Sequence, residues 1–136
     1  MNWAYIAGFF DGEGSLRVPM GQKYVTSPQV CIYQSDQLVL LRIQRFLAAH
    51  GIHSHVRKEN RMRKGLQRVI SKKDQYILDF SRKQSVTIFL RSIRPYAVVK
   101  KQIIEDCIRY LILFPAMTKQ QREWRRMEGR RMAKNG

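Results

Sequence analysis

Tyr5-Ile6-Ala7-Gly8-Phe9-Phe10-Asp11-Gly12-Glu13-Gly14-Ser15, near the start of a 136-residue chain, reads as a short apolar helix that ends on acid. Asn2 can cap its start, because the side-chain oxygen can accept from a free backbone N–H two or three residues on. Trp3, Tyr5, Ile6, Phe9 and Phe10 spread apolar bulk around the axis, which predicts burial on most sides. Ala4, Gly8 and Gly12 fall four apart on one face. Side chains that small let another backbone come close, and the expected partner is a second helix of the same kind.

The acid end is chemically odd. Asp11 and Glu13 fall where unpaired carbonyls make the negative end of a helix dipole. An anion there is disfavoured by about 0.3–1 kcal/mol. Gly14 offers a C-terminal cap. A divalent cation would reverse the sign of the penalty, since carboxylate and carbonyl oxygens together suit a hard ion such as Mg²⁺. The same Asp-Gly-Glu-Gly run also fits a surface turn between helix and strand, and the local sequence leaves both readings open.

The run Ile6-Ala7-Gly8-Phe9-Phe10-Asp11-Gly12-Glu13-Gly14 resembles the LAGLIDADG motif of homing endonucleases, each position matched by identity or by a common substitute. The motif occurs once, so the chain resembles the single-motif members that act as homodimers. The resemblance implies an α+β fold with an α-β-β-α-β-β-α core: a curved antiparallel sheet with helices on one face. It implies a site-specific endonuclease for double-stranded DNA. Two motif helices would pack through Ala4, Gly8, Phe9 and Gly12. Glu13, the second motif acid, would bind the catalytic metal, with the Gly12 carbonyl as second protein ligand. Mg²⁺ is the expected ion, with Mn²⁺ able to replace it and Ca²⁺ a non-catalytic substitute. Glu stands at position 13 where Asp is more frequent, a change the family tolerates. Asp11, the first acid, would have a structural part near the helix end. A two-fold dimer predicts a palindromic or near-palindromic target. Two rival readings use the same scaffold: an intron-encoded maturase that binds RNA to assist splicing, and a DNA-binding regulator without catalysis.

Composition narrows the partners. Lys and Arg number 26 against 10 acids, a formal charge of +16. A balance so lopsided predicts a polyanionic partner, nucleic acid before an anionic membrane. No apolar run approaches the roughly 18 residues a membrane span needs, and no signal peptide opens the chain. Cys31 and Cys107 stand alone, with no disulfide framework or Cys-rich zinc pattern. The expected setting is intracellular and reducing: cytoplasm, nucleus or an organelle interior. At this length one domain is expected, with the endonuclease core over residues 1–115 and a basic extension over 116–136.

After Gly14 the pattern alternates. Leu16 and Val18 face one way, Ser15 and Arg17 the other. A second strand ends near Tyr33, with Val30 and Ile32 opposite Gln29, Cys31 and Tyr33. Ser35 or Asp36 caps a helix that Gly51 closes, with Leu40, Leu41, Ile43 and Leu47 on its apolar face. Strands are expected over Ile52 to about Asn60, Leu66 to Ser71, and Gln75 to Phe80, where Tyr76, Leu78 and Phe80 form the inward set. Ser81 and Gln84 have capping-box spacing before a helix carrying Val86, Phe89, Leu90 and Ile93, which Pro95 ends. A further helix is expected from about Ala97 to Phe114, with Ile103, Ile104, Cys107, Ile108 and Leu111 inward. The tail from Lys119 reads either as a basic helix around Trp124 and Met127 or as an arm that orders on nucleic acid.

Three further groups could carry chemistry. Gln34 ends the second strand and resembles the family's pocket glutamine, which orders water; a turn glutamine is the other reading. Pro95-Tyr96-Ala97-Val98-Val99-Lys100-Lys101-Gln102 resembles the family's proline-to-lysine stretch, which implies a catalytic Lys100, with Lys101 the alternative by register. His50, His53 and His55 lack the partners a zinc site needs. Between Arg57 and Lys73 basic residues dominate, and strand parity lets Arg57, Arg61, Arg63, Lys64, Arg68, Lys72 and Lys73 share a nucleic-acid surface with Lys101. Candidate base readers on the polar strand faces are Ser15, Arg17, Gln29, Cys31, Tyr33, Arg57 and Arg68.

Overall fold

A computed structural model describes residues 1–17, 28–59 and 74–113, together with Met127. Helix α1 spans Trp3–Glu13 and starts as its sequence predicts, with Asn2 Oδ1 accepting from the Tyr5 N–H at 2.8 Å. Burial on most sides is corrected for the single chain. Ile6, Ala7 and Phe10 are buried, but Ala4, Tyr5, Gly8 and Gly12 are exposed. The apolar residues occupy two faces of α1, and this chain's core meets only one.

Gly14 follows α1 in an extended conformation, φ −98° and ψ 164°, and not in the left-handed one usual for a glycine cap. Crowding explains the glycine instead: a Cβ here would sit 2.7 Å from the Phe10 carbonyl oxygen and against the Phe10 ring. The chain passes straight into β1 (Gly14–Arg17), which pairs antiparallel with β2 (Gln29–Gln34).

Helix α2 (Gln37–Ala49) is capped by Asp36, whose Oδ1 accepts from the Leu38 N–H at 3.0 Å. Its end is a Schellman motif. Gly51 has φ 81°, its N–H bonds the Ala48 carbonyl, and the Ile52 N–H reaches back to the Leu47 carbonyl at 2.9 Å. Ile52 is therefore spent on closing the helix, and strand β3 (His55–Lys58) begins later than its sequence predicts. Strand β4 (Tyr76–Phe80) pairs with both β2 and β3. The sheet order is β1-β2-β4-β3, antiparallel throughout. The strand expected over 66–71 lies outside the described residues.

Helices α3 (Lys83–Ile93) and α4 (Lys101–Leu113) complete the described fold, and three expectations need correction. The capping box does not form. Arg82 is the N-cap of α3 without a side-chain bond, so Ser81 stands one residue ahead of the place from which a hydroxyl reaches the third helical N–H. α4 starts at Lys101 and not near Ala97, because the Ala97 N–H bonds back to Ile93 while those of Val98 and Lys100 go to Asp11. Of the expected inward set of α4, Ile103 is exposed; Ile104, Cys107, Ile108 and Leu111 are buried.

The helices cover one sheet face, where Leu16, Val30, Ile32, Leu78 and Phe80 join the core. Phe89 of α3 is its hub, with ring centroids 5.4 Å from Phe10, 5.2 Å from Phe80 and 6.2 Å from Trp3. Phe10 is fully buried. Phe10→Ala should therefore cost about 3–5 kcal/mol of unfolding free energy in a urea titration. Among the described residues, no helix is long and apolar enough to cross a membrane.

Candidate functional site

The acid end of α1 meets the segment before α4. The Asp11 carboxylate accepts from the backbone N–H groups of Val98 at 2.8 Å and Lys100 at 3.1 Å. In return Lys100 Nζ donates to the Asp11 backbone carbonyl at 2.6 Å. Each end supplies what the other lacks: an anion for free N–H groups, a cation for an orphan carbonyl. Lys100 also lies 5.7 Å from the centre of the Phe10 ring. Burial works against the Asp11 charge, but the N–H groups of Val98, Lys100 and Val99 outweigh it and hold the carboxyl below the ordinary aspartate range. Asp11 thus escapes the dipole penalty without a metal.

A depressed carboxyl stabilises the fold above its unfolded-state pKa and loses that contribution as pH falls through the folded value. Asp11→Asn keeps one accepting oxygen but loses the other and the charge, and should lower stability at pH 7 by about 1 kcal/mol, the usual net worth of one hydrogen bond. It should also flatten the decline of stability below about pH 4. Urea midpoints measured across that range check both.

Glu13 is different. It is the last residue of α1 and it is exposed, as is Gly12 beside it. The helix gives neither carbonyl a partner four residues on. Gln34 stands at the same end of the β1–β2 ladder, two residues past the Gly14–Ile32 pair. Its Oε1 accepts from the Ser35 N–H at 2.9 Å, so it does build the turn into α2. A carboxylate with neighbouring carbonyl oxygens is a donor set that fits Mg²⁺. Yet among the described residues no three His, Cys, Asp or Glu gather around one point. Among the described residues, Glu13 is therefore the one carboxylate at this end of α1 that no hydrogen bond or ion pair engages.

The other sheet face is polar apart from the buried Ile77, and strand parity predicts its polar membership. Ser15 opposes Cys31 and Arg17 opposes Gln29, while Cys31 also faces Asp79 and Tyr33 faces Ile77 on β4. Across from β4 come His55 and Arg57. Ser15, Arg17, Gln29, Cys31, Tyr33 and Arg57 therefore share one surface. Burial and then Asp79 raise the Cys31 thiol, and burial with Cys31 raises the Tyr33 hydroxyl, so both are neutral groups there. The rings of His53 and His55 lie 5.8 Å apart. Arg61, Arg63, Lys64, Arg68, Lys72 and Lys73 lie outside the described residues, as does the basic extension apart from Met127. Lys101 is exposed at the start of α4.

Sequence reading passed over Asp79. Its side chain is 15% exposed and its Oδ2 lies 3.2 Å from Arg57 Nε. Parity alone put it on the polar face, opposite to Leu78 and Phe80.

A family model for a LAGLIDADG-like domain matches residues 2–94. No curated protein matches the sequence. Among solved structures, the homing endonuclease I-TnaI aligns with TM-score 0.60 and 21% identity, over 82% of this chain and 72% of that one. The homing endonuclease I-CvuI, crystallised with the I-CreI target in Mg with its DNA uncleaved, gives 0.57 and 19% over 79% of this chain. This chain spans 63% of the length of the I-CvuI chain. The archaeal intron-encoded homing endonuclease I-Vdi141I, complexed with DNA, gives 0.52 and 24%, over 81% of this chain and 68% of that one. At such identities the likeness is one of fold: four antiparallel strands under helices, with the motif helix running into the sheet. The family match covers the whole of that motif and the elements through α3, and the chain belongs to the LAGLIDADG family.

Proposed function

We propose that the chain is a site-specific DNA endonuclease that acts as a homodimer and needs a divalent metal. The observation that carries this is the bare outer face of α1. A Cβ at Gly8 or Gly12 would meet no atom within 4 Å, so nothing within the described chain demands a glycine at either place. A second α1 packed there would demand both, and would bring two Glu13 carboxylates together at the two-fold axis. Those carboxylates repel unless a cation lies between them. The pairing would bring a second carboxylate to such an ion.

A divalent ion bound there lowers the pKa of a water and neutralises charge on the phosphate. Glu13 and the Gly12 carbonyl would hold it. Lys100 spends one of three N–H donors on Asp11 and keeps two for a phosphate or water oxygen. Gln34 uses its oxygen on the α2 turn, which leaves its NH₂ to orient water. Water would attack phosphorus, one P–O ester bond would break, and the departing oxygen would take up the proton that the water loses. The sheet's polar face holds the duplex, with Arg17 and Arg57 among its contacts. The excess positive charge supplies the affinity that does not depend on sequence.

The test is cleavage of a plasmid carrying the DNA that flanks the gene, in Mg²⁺ and again in EDTA. One discrete double-strand cut, lost in EDTA, is expected. Retention of the flanking RNA with no cut in any duplex, in Mg²⁺ or Mn²⁺, would favour the maturase instead.

A further inference from the structure

We propose that Asp79 is a positioning residue that holds Arg57 for reading a guanine in the major groove. The inference rests on the DNA-binding reading above and goes further, to one residue that sets specificity.

An acid on a surface meant for a polyanion is out of place. Asp79 sits mid-sheet, between Cys31 on β2 and His55 on β3, and repels every phosphate that approaches. It is nevertheless shielded, and its partner is diagonal: Arg57 pairs with Ile77 in the ladder but turns its Nε to Asp79 Oδ2 at 3.2 Å. Diagonal neighbours on a sheet are within reach of long side chains. A guanidinium has five N–H donors in a rigid fork. With Nε anchored, the two terminal nitrogens form the outer edge of the fork. The Arg57 side chain is 56% exposed, so that edge is open to a ligand. Guanine presents the matching pair of acceptors, O6 and N7, in the major groove. A long, unanchored arginine would reach phosphates and bases alike. An anchored one has a fixed direction and loses less rotamer freedom on binding.

The experiment is a selection from a randomised duplex pool in Ca²⁺, using the full chain, Arg57→Ala, Asp79→Asn and Asp79→Ser, with sequencing of the bound fraction. Arg57→Ala should relax one guanine preference by roughly 5- to 150-fold. Both Asp79 variants should weaken that same preference, and no other, by about two- to fivefold. Both should bind non-specific DNA more tightly, since a negative charge has gone. A merely damaged fold would lower both kinds of binding. Unchanged preference in the Asp79 variants at the position that Arg57→Ala relaxes overturns the inference. So does failure of both Asp79 variants to fold, which would make the acid a structural need. A wild-type chain that selects no duplex would sink the DNA reading itself, a result distinct from either.

Discussion

Glu13→Gln leaves the fold and DNA binding intact and lowers the rate of cleavage by on the order of a thousandfold, the several kcal/mol a metal contributes at a phosphoryl centre. Glu13 is exposed and ends α1, so its replacement by an isosteric amide disturbs no packing. The amide even relieves the dipole penalty on a terminal anion, and thermal stability without metal should rise slightly. A metal titration separates the possibilities. Wild type should gain stability with added Mn²⁺ in the presence of duplex, because an ion bound only to the native state shifts the equilibrium by mass action. The variant should not. Cleavage by Glu13→Gln at the wild-type rate removes this carboxylate from the mechanism. Asp11→Asn serves as the contrast. Its carboxylate is already engaged by the N–H groups of Val98 and Lys100. Its loss should act on stability first, and on cleavage through the position of Lys100. The two motif acids, two residues apart and alike in chemistry, thus divide into one bonded within the fold and one exposed at the helix end.

That division was only half legible in the sequence. Features with local causes read correctly. Asn2 caps α1 and Gly51 closes α2 because donor and acceptor lie within five residues of each other. Strand parity sorted Leu16, Val30, Ile32 and Leu78 from Ser15, Arg17, Cys31 and Tyr33, since a strand repeats every two residues whatever surrounds it. The failures have two kinds of cause, local register and crowding in some places and tertiary contact in another. Ser81 and Gln84 have the right spacing for a capping box, but α3 starts from Arg82 and leaves the hydroxyl out of register. Nothing near Ala97 announces that its helix must wait for Lys101; the reason is a carboxylate 87 residues before Val98. Gly14 does cap α1, its N–H bonding the Phe10 carbonyl, but the place is kept small by crowding against Phe10 and not by a left-handed turn. At the candidate site, the resemblance singled out Glu13, Gln34 and Lys100: Glu13 ends α1, Lys100 bonds the Asp11 carbonyl near that end, and Gln34 lies two residues past the Gly14–Ile32 pair. What it could not supply was the bond from Lys100 to the Asp11 carbonyl, which exists only once two helix ends meet.

Gly8→Glu should turn a dimer into a folded monomer. Gly8 is exposed in the middle of α1, and a Cβ there meets nothing of its own chain. Within the monomer the change therefore gains helix propensity, by somewhat under 1 kcal/mol, and strains nothing. Across a two-fold axis the same change puts two carboxylates face to face where two backbones are meant to touch. Juxtaposed like charges at an interface cost several kcal/mol, so the dimer dissociation constant should rise by on the order of a thousandfold. Sedimentation reads the association state, and a thermal melt at high dilution reads the fold of the separated chain. Cleavage should disappear with the dimer, although Glu13, Lys100 and the whole polar sheet face are untouched. Tyr5 and Phe9 flank the same face, Tyr5 being 47% exposed. Apolar area of that kind is kept on a surface at a cost in solubility, and a partner helix is what would remove it from water. If wild type and Gly8→Glu sediment alike, the two-fold axis is not on α1. The pairing of two Glu13 carboxylates around shared metal then goes with it, because among the described residues Glu13 is the one acid at that end of the helix that Val98 and Lys100 do not engage.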